Sequence, residues 1–391
     1  MKIAIINTYA TGSTGTIASL IGKYAQQKGH SVRFFYGRVK QNDSGWEFIG
    51  ENRFNLFLSN GFAYLTGRIG SYHISSTKRL IKELELYQPD VIHLHNIHGN
   101  YLNFHMLFNY FKTFKGKVVI TAHDEFLLTG RCALCVCDKW KSGCNKCKYL
   151  KAYPHAFIDR STKLQRRKIE MLKSINNLTV VVPSQWLKNL FELSKINSVD
   201  CRCIRNGLSE PNEEPFDISS LVVEGKINIL FAAFTWNVDK GAEVIKELSN
   251  KIDNNKYNII VTGVNKSNLH WFDSNCSTTG LLKRGQLFYL LKHVDLFANP
   301  TFKDNLPTIL IESLKAGTPA ITFNTGGCKE IINNTCGLLL DNKNSDSLLN
   351  AINEFDFTKA TKENCLKQAS LFSKEKMAEE YLALYEEGKG K

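Results

Sequence analysis

Between residues 294 and 323 the chain alternates in a way that few folds admit. Residues 294–298 form a short apolar run with strand character, and Leu310 and Leu314 lie four apart on one helical face. Gly317 and Pro319 then stop that helix before a second apolar run, 320–323. Strand, loop, helix and strand in that order predict a parallel crossover, and parallel sheets carry their binding loops at the carboxyl ends of strands. Asp304 and the first helical turn therefore lie where ligands bind, and Glu312 follows eight positions later on the same helix. Two readings stand at this level: a pocket framed by both carboxylates, or a helix cap at Asp304 before Pro307 with Glu312 solvated or ion-paired.

The same grammar recurs along the chain. Residues 3–6 read as a buried strand, Thr11-Gly12-Ser13-Thr14-Gly15 as a tight turn, 17–27 as a helix ended by Gly29, and 32–36 as the next strand. The turn lacks the third glycine of a dinucleotide fingerprint and the Gly-Lys-Ser of a Walker loop, so a plain strand-to-helix turn and a phosphate-facing loop both fit it. Strands follow at 90–95, with His93 and His95 alternating as in a half-buried strand, and at 117–122, ending at His123-Asp124. A helix over 162–172 puts Arg166, Arg167 and Lys168 on a solvated face. After strands at 178–182 and 201–204, Arg205-Asn206-Gly207 with Pro211 and Pro215 marks a linker. Beyond it, 227–234 is a strand and 235–239 a loop. Lys240-Gly241 opens a helix where a cation and free amides suit a phosphate, the plainer alternative being a surface lysine. Strand 258–263, helix 286–292 and Thr325-Gly326-Gly327 come next; the glycines mark a close backbone approach or a bare turn. Residues 372–385 read as an amphipathic helix.

At 391 residues the chain suffices for two domains, and its formal charge of +13 favours an anionic partner: a nucleotide diphosphate, an acidic membrane surface or nucleic acid. No run approaches the ~20 apolar residues of a membrane span, and residues 3–6 are too short for a signal-peptide core. The expectation is an intracellular protein, soluble or peripheral. In that compartment eleven cysteines argue for thiols or metal ligation. Cys132, Cys135, Cys137, Cys144 and Cys147 fall within sixteen positions, a spacing that suits a structural zinc on four thiolates. Cys144 and Cys147 would form one arm and two of the other three the second; reduced thiols in a packed loop are the alternative. Residues 46–80 mix aromatic and basic side chains, which fits a helix lying on lipid or a core-facing helix.

The stretch from Asp304 to Glu312 resembles the nucleotide-sugar motif of glycosyltransferase family 4, in which an acid, seven residues and a Glu precede a small-residue turn. There the first acid meets hydroxyls of the donor sugar and the second accepts from the nucleotide ribose. The chain departs from the usual form, with Asp304-Asn305-Leu306-Pro307 replacing Glu, Gly, an aromatic and Gly, and with Thr235 where an Arg usually stands five before Lys240. The resemblance implies an α/β protein of two Rossmann-like domains facing across a cleft, the GT-B architecture. It places an acceptor-side domain at 1–206, a nucleotide-sugar domain at 207–371 and a helix crossing back at 372–391. The cysteine-rich segment, about 130–148, resembles an insertion of a polysaccharide-assembly subset.

By the same resemblance His123, Asp304 and Lys240 are the expected catalytic residues. Gly12, Ser13, Thr14, Gly15, Asp124, Asn305, Leu306, Thr308, Glu312, Gly326 and Gly327 are expected to bind substrate, with Lys303 or Arg284 assisting Lys240. The implied reaction moves a hexosyl group from a nucleotide-diphosphate sugar to a glycan or lipid-linked hydroxyl, with anomeric configuration retained and no catalytic metal. The implied setting is bacterial surface-polysaccharide assembly at the inner face of the cell membrane. A nucleotide-sugar epimerase of the same architecture and a zinc-containing nucleic-acid-binding protein are the rivals. The second is disfavoured by dispersed basic residues and by the lack of a basic recognition helix beside the cysteines.

Overall fold

The computed structural model describes residues 1–40, 45–134, 137–272 and 275–387, and counts below refer to these. Its contacts divide the chain into two units, residues 1–207 with 374–391, and residues 208–373.

The first unit runs β1 (Lys2–Asn7), α1 (Gly12–Gln27), β2 (Ser31–Tyr36), β3 (Glu47–Phe48), α2 (Arg53–Thr66), α3 (Ile74–Tyr87), β4 (Val91–His95), α4 (Phe104–Thr113), β5 (Lys117–Thr121), α5 (Lys139–Ser142), α6 (Ser161–Lys173), β6 (Leu178–Val182), α7 (Gln185–Glu192) and β7 (Asp200–Cys203). Its strands form one parallel sheet in the order β3-β2-β1-β4-β5-β6-β7. Because helices cover both faces, central strands are apolar throughout: Ile3, Ala4, Ile5 and Ile6 are wholly buried. Position in the sheet also corrects the expectation for β4. It lies between β1 and β5 and all five of its residues are buried, so His93 and His95 are core side chains rather than one face of a half-exposed strand.

Helix α1 buries Ile17, Ala18, Ile21, Gly22 and Ala25, one stripe at helical spacing, and a Cβ on Gly22 would stand 2.4 Å from the Phe34 ring. The helix begins at Gly12, five residues earlier than the sequence suggests, so the glycine-rich segment is its first turn. On α6, Lys168 is buried and donates to the Phe126 carbonyl, against the expectation of a solvated face, while Arg166 is exposed and meets Glu170 at 3.6 Å. Helix α2 buries only Ala63 among its fourteen residues.

The second unit runs β8 (Ile227–Ala232), α8 (Ala242–Ser249), β9 (Tyr257–Thr262), β10 (Cys276–Thr279), α9 (Arg284–Leu291), β11 (Leu296–Asn299), α10 (Thr308–Ala316), β12 (Ala320–Phe323), α11 (Cys328–Ile331), β13 (Gly337–Leu340), α12 (Ser345–Asn353) and α13 (Lys362–Ala369). Its parallel sheet has the order β10-β9-β8-β11-β12-β13, and its core gathers Ile229, Phe231, Ile259, Phe297, Ile321 and Phe323. The final helix, α14 (Lys374–Glu386), belongs to the first unit. Tyr385 Oη lies 2.6 Å from His93 Nδ1, Tyr381 Oη 2.9 Å from Thr121 Oγ1, and Lys117 Nζ donates to the Leu384 carbonyl at 2.6 Å. No helix among the described residues is long and apolar enough to cross a membrane.

Candidate functional site

Three loops of the second unit leave the carboxyl ends of neighbouring strands: 233–241 after β8, 300–307 after β11 and 324–327 after β12. From β8 the sheet grows to β9 on one side and to β11 on the other, and open parallel sheets bind ligands at such a switch point. Glycine makes the loops fit together. Gly241 has φ +80°, and a Cβ there would stand 2.3 Å from the Pro300 carbonyl oxygen; Gly326 has φ +56°, and its Cβ would stand 2.0 Å from that of Asp304. Phe302 N donates to the Asp239 carbonyl (2.9 Å), Gly327 N to that of Asn305 (2.6 Å) and Thr325 Oγ1 to that of Thr301 (3.0 Å), so the central loop is clasped from both sides.

Within this frame Lys240 Nζ meets Asp304 Oδ2 at 2.9 Å, two groups sixty-four positions apart in the chain. Lys240 closes a single 3-10 turn, Val238–Lys240, rather than opening α8, because Gly241 in the left-handed region separates the two. On α10, Glu312 Oε1 accepts from Arg284 Nε at 2.6 Å, and Arg284 also donates to the Ser209 carbonyl. Lys303 pairs with Asp239 at 2.8 Å. The two cations expected beside Lys240 are thus held by other carboxylates. Asn305 and Leu306 are buried, whereas Thr308 at the start of α10 is partly exposed.

The first unit assembles a second set of groups at its own switch point, between β1 and β4. Gly12, with φ +80°, Ser13, Thr14 and Gly15 are the first turn of α1, whose free backbone N–H groups suit an anion. Thr14 Oγ1 lies 3.2 Å from both Asn7 Nδ2 and Asn96 Nδ2. After β5, His123 Nε2 lies 2.9 Å from His95 Nδ1, and Asp124 Oδ2 lies 2.6 Å from His98 Nε2. Burial lowers His123 to about 4 despite the pull of Asp124, so the imidazole is neutral near pH 7. Burial would raise Asp124, yet His98 holds its carboxyl below the usual range. His95, His98, Asn7 and Asn96 were not expected; only their places at strand ends could have signalled them.

Cys132, Cys137, Cys144 and Cys147 line one cavity of about 260 Å³. Arg131 braces it from the buried side, donating to the carbonyls of Tyr149, Leu150, Ala152 and Pro154. Burial pushes the Cys132 thiol up to about 11, and the other three sulfurs are near enough to push it the same way. Among the described residues no three side chains converge as a formed metal site; Cys135 lies outside them.

Comparison with known proteins yields one family over each unit. Residues 14–210 match the description "Glycosyltransferase Family 4", and residues 217–370 match "Glycosyl transferases group 1". A curated relative from Escherichia coli (strain K12), named "Putative colanic acid biosynthesis glycosyl transferase WcaC", is 25% identical over 406 residues, spanning 96% of this chain and 97% of its own. Among solved structures, sucrose-phosphate synthase from Thermosynechococcus elongatus superposes with a TM-score of 0.70 at 15% identity over 98% of both chains. Anabaena HepE in complex with UDP and glucose gives 0.68 at 14% identity over 99% of this chain and 100% of its own.

Proposed function

Since the chain belongs to glycosyltransferase family 4, with the paired Rossmann-like units of a GT-B enzyme, we propose that it transfers a hexosyl group from a nucleotide-diphosphate sugar to a hydroxyl of a glycan or lipid-linked saccharide. The transfer would retain the anomeric configuration and serve surface-polysaccharide assembly at the inner face of a bacterial membrane. The carrying observation is the meeting of Lys240 and Asp304 at the switch point of the second sheet, with Glu312 on the helix that follows. The colanic acid designation of the relative supports the polysaccharide setting, and nothing in the matched families favours an epimerase.

In this reading Glu312 accepts from the ribose hydroxyls and Asp304 from the sugar. Lys240 exchanges Asp304 for the diphosphate, with the backbone at 305–308 and 326–327 alongside. The bond between the anomeric carbon and the phosphate oxygen breaks, its electron pair leaving on the diphosphate. The acceptor oxygen bonds that carbon on the same face, and its proton passes to the leaving phosphate. Stabilising the departing charge is worth ~3 kcal/mol for one preorganised donor. The neutral His123, Asp124 and residues 12–15 are the first unit's contribution to substrate binding. Four of Cys132, Cys135, Cys137, Cys144 and Cys147 would hold a structural zinc, a reading supported by four soft sulfur donors lining one cavity.

The test incubates the enzyme with a panel of nucleotide sugars and lipid-linked saccharides. Acceptor-dependent release of nucleoside diphosphate with a retained anomeric centre by NMR is expected; consumption of donor without acceptor would replace transfer by epimerisation. Metal analysis of the purified protein should find about one zinc per chain, and zinc-free protein with unchanged melting would remove that assignment.

A further inference from the structure

The first unit carries a second pocket, apart from the loops described above. It occupies about 520 Å³ between the α2–α3 connection and the starts of α4 and α6. Its rim is cationic: Arg68, Arg160, Lys163 and Arg167 all line it. No carboxylate does, and none of the four forms an ion pair among the described residues. Ile69 and Leu164 supply apolar lining. Two of the cations are oriented by the fold, since Arg160 Nε donates to the Thr66 carbonyl at 2.9 Å and Arg167 Nη1 reaches Ser71 Oγ at 3.4 Å. Arg68 and Lys163 are exposed, with no side-chain partner in the described structure.

Four like charges converging on one concave surface repel one another, a cost that an anion with several oxygens removes. The surface beside the pocket indicates where that anion comes from. Gly67, which lines the pocket, caps α2, and α2 turns Phe54, Phe57, Phe62 and Leu65 outward, with Phe57 74% exposed. Phe157 extends this surface, its backbone N–H bonded to the Tyr64 carbonyl at 2.8 Å while its ring is 68% exposed. An exposed aromatic helix face, ending at a cationic pocket, has the chemistry of a bilayer surface contact: rings in the acyl boundary, cations at the phosphate level.

We propose that this pocket binds the phosphate of an anionic glycerophospholipid headgroup while the exposed face of α2 enters the interface. The proposal deepens the lipid-linked-acceptor reading by naming how the enzyme is held at the bilayer. It can fail while transfer to a soluble acceptor persists, so the two are separable.

Co-sedimentation with phosphatidylcholine vesicles, with and without phosphatidylglycerol, tests it. The wild type should prefer the anionic vesicles, and the doubly substituted Arg68→Glu/Lys163→Glu protein should bind them at least about thirtyfold more weakly. Phe57→Ser/Phe62→Ser should weaken binding to both kinds of vesicle. Unchanged melting temperature and nucleotide binding confirm that the variants fold. Equal binding to the two vesicle types, wild-type binding by the charge-reversed variant, or full displacement by soluble glycerol phosphate at constant ionic strength would each overturn the proposal, the last by showing a free-phosphate site.

Discussion

Replacing Glu312 by Ala separates a binding role from a structural one by magnitude. Glu312 is mostly shielded and its partner Arg284 about one-third exposed, so the pair resembles a surface salt bridge more than a buried one. Pairs of that kind contribute about 1 kcal/mol or less, because water solvates the abandoned cation. For a unit of this size such a loss lowers Tm by only about 2–4 °C. A carboxylate accepting from a ribose diol is different, since each hydrogen bond to a charged group is worth about 1.5–3 kcal/mol. Losing two gives at least about 3 kcal/mol, or more than a hundredfold in Kd. Calorimetric titration with UDP and a panel of nucleoside diphosphate sugars, beside thermal melting, reads both quantities. The expected result is a collapse of donor binding with near-native melting, and Arg284→Ala should not reproduce it. Nucleotide affinity within threefold of wild type, or an equal loss in Arg284→Ala, would refute the ribose contact and leave Glu312 as a helix ion pair.

Lys240→Ala should lower kcat about a hundredfold with a smaller rise in KM, and Lys240→Arg should restore part of it; steady-state kinetics on the best donor decide. Gly326→Ala forces a Cβ against the Asp304 carbonyl in a left-handed backbone, so donor affinity should fall and Tm drop by several degrees, measured by titration and melting. Stability should also fall with acid. Burial lowers His93 to about 3 and His123 to about 4, both below the value of about 6.5 in an unfolded chain. The unfolded chain therefore gains protons first, and stability present above pH 6.5 is lost as pH falls towards the folded values, at up to ~1.4 kcal/mol per pH unit for each histidine. Chemical denaturation between pH 7 and 5.5 should show this, and His93→Gln should flatten it; a slope unchanged by that substitution contradicts the account.

Parallel strands buried on both faces are continuous apolar runs, and those at 3–6, 117–121 and 178–182 stand out in the sequence for that reason. Edge strands carry no such mark: Cys-Ser-Thr-Thr of β10 and the two residues of β3 pair only because a neighbour offers a ladder. Asp304 and Glu312 could be singled out because one loop and one helix hold both. Lys240 and Arg284 are expected from the sequence only as cations for the diphosphate. Their pairing with those carboxylates is not legible, since Lys240 comes from the loop after β8 and Arg284 from the start of α9, and no local period links residue 240 to 304 or 284 to 312. Periodicity likewise gives the apolar face of α2 but not whether anything covers it. Lys168 shows the converse, a cation within a basic run that the fold draws inward onto a carbonyl and the Phe126 ring.

The first unit is discontinuous: 166 residues of the second unit, 208–373, separate its sheet from α14. During translation, His93, Thr121 and Lys117 must therefore wait for partners that leave the ribosome only after the whole second unit has emerged. The earlier segment is then a nascent chain whose β4 and β5 lack their α14 contacts, while the later segment is continuous in sequence. Shortening the chain before residue 374 should consequently damage the half of the molecule made first.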